Sequence, residues 1–533
     1  MKSTKIICGL LLSLIGFSSC TDLTEEVYDQ LTADEYFKGF TDKDVPGALG
    51  KVYNDLKMLY GGFDAHTAGC YLYTNEECSD LWVTPKRGGS WYDGGIYFRL
   101  NQHKWLYDDA HFLGNWRRAY TAINNCNRLL FEFTNAGVDN DMIMAELKVA
   151  RAFWYYILID MFGNVPLVTQ YDIPEGWLPE TSKRADVFKF IVNEISQNIE
   201  HLADKSYGRW DKNAASMLLA KVYLNAEVWE AKGVTYWDEV IGLCDDIIGS
   251  HQYQLEADYK SPFVTNNEDS PEIIMGISND DIYDGEGTFL PHLWTQHWKY
   301  QYHAATITGF WGGCCATPEF ANSYHSDDKR FEKSWMIGQL YDNTGQFGTP
   351  GAPMYCAPWD PRDAGKLLCY TKDVPLFEGD DIPTTGEQTG ARLNKYEVKK
   401  GALNTLANDF VLFRYADVFF MKAEAMYRKG GKVATQDIVN LINDVRKRAF
   451  TDFTGDKVLK VSELNDDRFL QEYAWEFCQE GHRRQQLIRF GQFTTKKWFL
   501  HDSSDSYRNL FPIPREERLA NPKLEQNLGY PTN

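Results

Sequence analysis

Two stretches of this chain concentrate indole and phenol rings beside charged groups. The first runs through Asp80, Trp82, Arg87, Trp91, Asp93 and Trp105; the second holds Trp294, Trp298, Tyr300 and Trp311. Such a set suits a ligand that is apolar across its face and hydroxylated along its edge, as a sugar ring is. A Trp face covers the C–H side, while Asp and Arg meet adjacent hydroxyls with paired hydrogen bonds. Gly88-Gly89 and Gly94-Gly95 bracket Trp91, Tyr92 and Asp93, so the backbone can turn tightly there and present them outward. These ten residues form the candidate ligand-binding set, weighed against the ordinary use of Trp as packing in a loop-rich shell. Trp177 sits in a third, shorter loop.

Patterns for covalent or metal chemistry are thin. There is no GxSxG, HExxH, Walker A or GxGxxG in a strand–helix setting. His103, His111, His297 and His303 have no ligand spacing. Asn279-Asp280-Asp281 with Asp284-Gly285-Glu286 departs from the EF-hand pattern, so calcium has no motif behind it and a solvated acidic loop is the expectation. A glycan hydrolase would need two carboxyls facing across a cleft, with Glu76, Glu77 and Asp93 as candidates; sequence cannot place them so. The expectation is a protein that is not an enzyme, with no catalytic residue, metal or cofactor.

The N-terminus supplies an address. Lys2 and Lys5 precede a 12-residue apolar run from Ile6 to Phe17, then Ser18-Ser19-Cys20. That run is too short to span a bilayer and reads as a signal peptide over 1–19. Cysteine after small residues resembles a bacterial lipobox, so Cys20 is the expected lipidation site. Residues 20–40, opening Thr21-Asp22-Leu23-Thr24-Glu25-Glu26, form the anchor and an acidic tether. Net charge is −20 with 44% hydrophobic residues, a globular balance that excludes nucleic acid and favours a neutral ligand. Of eleven cysteines, Cys8 and Cys20 belong to the leader and anchor, leaving nine. An odd number cannot all pair internally. Cys70 and Cys78 could bridge, adjacent Cys314-Cys315 would be strained, and buried free thiols are expected for most.

Helices must position the aromatic loops. Residues 141–162 read as one helix of about six turns, apolar nearly all round and hence buried. Gly163-Asn164-Val165-Pro166 stops it. Helical periods follow over 185–202, 213–230 and 237–248, the second rich in alanine at close-contact spacing. Periodicity returns over 414–429, 435–449 and 461–478, with a basic turn at 483–489. Short loops between helices of similar length suggest antiparallel pairs in a degenerate tetratricopeptide-like array. The reading is a mainly α scaffold over about 110–250 and 409–533, in a single domain spanning 41–533. Loop-rich segments over about 66–109 and 252–408 carry the ligand face. The apolar ending Leu510-Phe511-Pro512-Ile513-Pro514 should dock on the core.

Several segments together resemble the SusD/RagB family of surface nutrient-binding lipoproteins. They are Arg151-Ala152-Phe153-Trp154-Tyr155-Tyr156 running to Phe162-Gly163-Asn164-Val165-Pro166; Arg414-Tyr415-Ala416-Asp417 with Ala423-Glu424-Ala425; Asn443 with Arg446-Lys447-Arg448-Ala449; Glu480-Gly481-His482-Arg483 with Arg489 and Gly491; and Phe511 to Pro514 with Gln526-Asn527 and Gly529-Tyr530. Gln486 departs from a common Asp, which removes one ion-pair partner, and Leu528 departs from a common Pro. The resemblance implies a non-catalytic glycan binder, lipid-anchored in the outer membrane and facing the exterior. It would work with a SusC-like TonB-dependent transporter, capturing oligosaccharide or polysaccharide and delivering it to the barrel. A binder of peptide or another nutrient in the same kind of system is the alternative. The matched residues read as scaffold, with Asp417 and Glu424 on one helix face and Arg414 and Arg446 as their charge partners.

Overall fold

The computed structural model describes residues 44–61, 65–88, 90–138, 140–280, 294–297, 311–342, 351–360, 362–375, 384–398 and 406–532. Cys20 and its tether, Trp298, Tyr300, His303 and acidic positions 281 and 284–286 lie outside the described residues.

Asn140 opens the central helix, Asp141–Phe162, by accepting the Ile143 N–H at 3.2 Å. Gly163 closes it at φ +72°, and a Cβ there would meet Leu510 at 2.7 Å. Nearly every side chain from Ile143 onward is buried, as the all-round apolar pattern requires. The helix packs against both Ala110–Asn135 and Arg184–Asn198. The stack continues through Lys212–Leu224 and Trp237–Gly249 to Tyr415–Lys429 and Gln436–Arg446. Sequence neighbours thus lie side by side, the geometry of a helical-pair array.

Two helices are shorter than periodicity suggests. The 213–230 pattern breaks at Asn225, whose side chain donates to the Lys221 carbonyl and accepts from Arg489. Only a single turn, Ala226–Trp229, follows. The 461–478 pattern splits into a short turn and a helix over Asp466–Phe477, where Asn465 accepts the Arg468 N–H. An Asn side chain that competes for backbone groups restarts or ends a helix despite apolar periodicity.

In the middle of the chain the described strands are mostly two residues long. The longest pair is antiparallel, Ile273–Ile277 against Phe410–Arg414. The Tyr207 ring crosses Gly276 closely: a Cβ there would lie 2.4 Å from its hydroxyl and push the side chain aside. The C-terminal strap docks as expected. Phe511 donates its N–H to the Met161 carbonyl at 2.8 Å, and Asn527 donates to the carbonyls of Phe162 and Phe511.

A buried ion network joins the C-terminal helices to this frame. Arg414 reaches Glu272, Glu476 and Glu480 at 2.8–2.9 Å, all of them buried. Arg330 and Arg448 also pair with Glu476. The expected partners of Asp417 and Glu424 need correction: Asp417 pairs with Lys221 from the fourth helix of the stack, and Glu424 with Arg428 and Arg489. Arg446 instead holds Glu472. Burial alone would raise the Glu424 and Glu480 carboxyls, yet the facing guanidinium groups reverse this and hold both at about 2. All nine described cysteines are free, Cys70, Cys78, Cys314 and Cys315 among them.

Candidate ligand-binding site

The two aromatic loops, distant in sequence, meet on one buried guanidinium. Arg87 donates through Nε to the Gly313 carbonyl at 2.9 Å. Its Nη1 reaches the carbonyls of Gly386 and Thr389 and the Thr389 hydroxyl. Strand Lys86–Arg87 pairs in parallel with Thr384–Thr385. Burial, with Arg392 nearby, lowers the Arg87 guanidinium to about 10, still charged at neutral pH. Arg392 completes the frame by donating to the carbonyls of Thr295, Gly312 and Glu387.

Trp91 is the second clamp. Its indole N–H donates to the Trp311 carbonyl at 2.6 Å. Its ring lies so close to Gly313 that a Cβ there would meet it at 2.4 Å. Trp91 has φ +60° and Asp93 φ +37°, followed by Gly94 and Gly95 at positive φ. Left-handed geometry at two non-glycine residues stores strain that the surrounding bonds must hold. Tyr97 supplies one such bond, donating to Asp93 Oδ2 at 2.8 Å.

What this frame presents outward differs from the sequence-based set. Trp82, Trp105 and Trp294 are at most 1% exposed, so none has a face for a ligand. The rings of Trp82 and Trp294 pack edgewise on Tyr73. Trp105 donates to the Tyr530 hydroxyl and anchors the C-terminal strap against Phe511. Asp80 is buried, where Arg483 and Lys496 outweigh desolvation and hold its carboxyl well below the usual range. Arg87 and Trp91 are structural clamps, with Trp91 only 8% exposed. Exposed or half-exposed at the junction are Asp93, Trp311, Lys86 and Tyr92. Tyr92 is 41% exposed, with the Lys86 ammonium 5.8 Å from its ring centre. Tyr92 and Lys86 are missing from the ten residues that aromatic density selects. The Gly-Gly bracket is the signal that could have found Tyr92, since it marks the whole turn and not Trp91 alone.

The carboxylates considered for hydrolysis are not together in a cleft. Glu76 accepts the Gly481 N–H, and Glu77 accepts the Thr84 N–H and hydroxyl. Both are at most 1% exposed, and burial raises them to about 7 and about 8. Asp93 is at the surface, where it accepts the Tyr97 hydroxyl. His103 bonds the Cys78 carbonyl and Ser504 inside the core. Among the described residues one group brings metal-type ligand atoms within 4.8 Å, namely Cys356, Asp360 and Glu387. Its carboxylates are engaged as a loop clamp: Asp360 accepts N–H groups of Arg362, Asp363 and Glu387, and Glu387 accepts that of Ala357. Burial pushes the Cys356 thiol up to about 12, so it stays protonated.

Known proteins share this fold. Residues 271–530 match the family described as "SusD family", and residues 52–224 match "Starch-binding associating with outer membrane". The starch-binding protein SusD of Bacteroides thetaiotaomicron is 28% identical over 425 residues, covering 72% of each chain. A SusD superfamily protein from Parabacteroides distasonis superposes with a TM-score of 0.71 at 20% identity, over 92% of this chain and all of that one. Surface glycan-binding protein A from Bacteroides thetaiotaomicron, solved in complex with laminarihexaose, gives a TM-score of 0.68 at 20% identity over the same shares. The helical-pair scaffold with its loop-built face is the fold these structures share, and with both halves matched in order this chain belongs to the SusD family.

Proposed function

We propose that this protein binds oligosaccharide or polysaccharide at the outer membrane without cleaving it, and passes it to a SusC-like TonB-dependent transporter. One observation carries the reading: Arg87 and Trp91 lock two distant loops into a frame whose outer edge offers Tyr92 and Trp311 beside Asp93 and Lys86. Rings for sugar C–H faces sit next to a carboxylate and an ammonium for hydroxyls. The starch-binding relative and the laminarihexaose-bound neighbour support a glycan as the ligand class. Burial of Glu76 and Glu77 in the core supports binding over hydrolysis. Acylation of Cys20 would tether the body to the membrane and keep captured ligand near the transporter.

The test is titration of the protein lacking residues 1–20 against starch, laminarin and other polysaccharides, with a parallel assay for new reducing ends. Binding without new reducing ends is expected, and a Tyr92→Ala/Trp311→Ala double variant should weaken it at least tenfold with thermal unfolding unchanged. Saturable binding of peptide and none of any glycan would overturn the reading.

A further inference from the structure

Three segments, 338–342, 352–356 and 366–370, form a small unit with its own core. Each bonds to both others: Leu340 donates to Leu368, Leu368 to Met354, and Met354 to Leu340, at 2.8–3.0 Å. Leu340, Met354, Cys356, Leu368 and Tyr370 point inward and form a cluster separate from the main core. Strand alternation then sends the residues between them outward. Such an outer surface is normally polar. Here it is not. Tyr341 pairs across from Pro353, and Tyr355 across from Leu367. Residues directly opposite, or two apart on one strand, share a face, so these four form one continuous strip. Tyr355 is 50% exposed. Trp359, on the turn that follows, is 56% exposed, more than any other described tryptophan.

This strip is mechanically continuous with the candidate site. The turn carrying Trp359 is pinned by the Asp360 carboxylate, which accepts three backbone N–H groups, one of them from Glu387. Glu387 returns the contact by accepting the Ala357 N–H at 2.7 Å. Its neighbours Gly386 and Thr389 give their carbonyls to Arg87, the guanidinium that also holds Gly313. One run of hydrogen bonds therefore fixes Trp359 relative to Trp311 and Tyr92.

Resting on the glycan reading above, we infer that Trp359 and Tyr355 form a second aromatic platform for the same ligand. A polysaccharide chain held at Tyr92 and Trp311 runs on across it. Tyr and Trp offer ring faces for C–H groups and polar edges for hydroxyls, which a sugar chain can use one unit after another. The consequence is selection by length: short oligosaccharides occupy the first platform only, and polymer reaches both.

The experiment compares wild type with Trp359→Ala and Tyr355→Ala, using two ladders as probes: maltose to maltoheptaose with amylopectin, and laminaribiose to laminarihexaose with laminarin. Both side chains are solvent-exposed, and thermal unfolding checks that each variant folds. Expected is roughly tenfold weaker polymer binding, with the disaccharide changed less than about twofold. Variant and wild type bound alike at every length would overturn the second platform while leaving the first intact. The second platform is equally overturned if Tyr355→Ala abolishes self-association and leaves glycan binding unchanged, since the strip would then be a protein contact. Failure of wild type to bind either polysaccharide or any oligosaccharide would sink the glycan reading and this extension with it.

Discussion

Charged groups are spent in two different ways in this molecule. Around Arg414 they are sealed from water and matched to one another, three carboxylates on one guanidinium. Around Arg87 the buried cation faces backbone carbonyls, with no carboxylate among the groups that its side chain is shown to bond. The first arrangement ties helix to helix through side chains. The second ties loop to loop through main chain and leaves Asp93, Lys86 and Tyr92 at the surface for other tasks. On the proposed function, stability and recognition fall to different partners of the same residue type.

The contrast can be broken most forcefully at Arg414. Arg414→Met should lower unfolding free energy by about 3–5 kcal/mol or more, because Glu272, Glu476 and Glu480 lose their shared cation inside the core. Glycan affinity of the folded fraction should stay within about twofold. Denaturant unfolding that matched wild type would show that the network is not what joins the C-terminal helices.

A pH experiment sharpens the same comparison. Glu76 is a buried carboxylate raised to about 7, unlike Glu424 and Glu480, which are held at about 2. A raised folded value means that the folded state keeps a proton the unfolded chain has lost. Stability should therefore fall as pH rises from about 4.5 through 7, by roughly 3 kcal/mol from this group. Glu77, raised to about 8, contributes a slope of the same sign, so Glu76→Gln should remove only the Glu76 share, leaving the variant more stable at pH 8 and similar at pH 4.5. The opposite dependence, stability lost as pH falls through about 4 towards 2, belongs to Glu424 and Glu480, and Glu76→Gln should leave it in place. Equal slopes for variant and wild type between pH 5 and 8 would refute the assignment to Glu76.

The smallest expected effect on stability tests the loop frame. Gly313→Ala places a methyl group against the Trp91 ring and should cost about 1–3 kcal/mol. Its effect on glycan binding should be larger than its effect on unfolding, because Trp311 moves with the clamp. Wild-type binding with a shifted Tm would mean that Trp91 and Trp311 do not act as one unit.

Much of the scaffold was legible in the sequence. The stop at Gly163, the all-round apolar helix and the docked strap each follow from local residue types. The break at Asn225 was not, since its partner Arg489 lies 264 residues away; Asn465 is a local cap that accepts the Arg468 N–H, hidden by the apolar period that runs across it. At the site, aromatic density marked two loops but could not tell buried rings from exposed ones. Trp82, Trp105 and Trp294 are as aromatic as Trp311, and only the fold decides which of them is covered. Asp80 misled for a related reason: its partners Arg483 and Lys496 lie about 400 residues away, beyond the reach of local spacing. The separate core of the 338–370 unit was equally invisible, because strands of two or three residues leave little periodicity to read.

Arg87 binds carbonyl oxygens at Gly313, Gly386 and Thr389, and every residue type offers a backbone carbonyl. The loops it gathers can therefore change most of their side chains without losing their position. A single retained cation would let a lineage exchange one aromatic ring for another and try new sugars on an unchanged chassis, so ligand choice could evolve at small risk to folding.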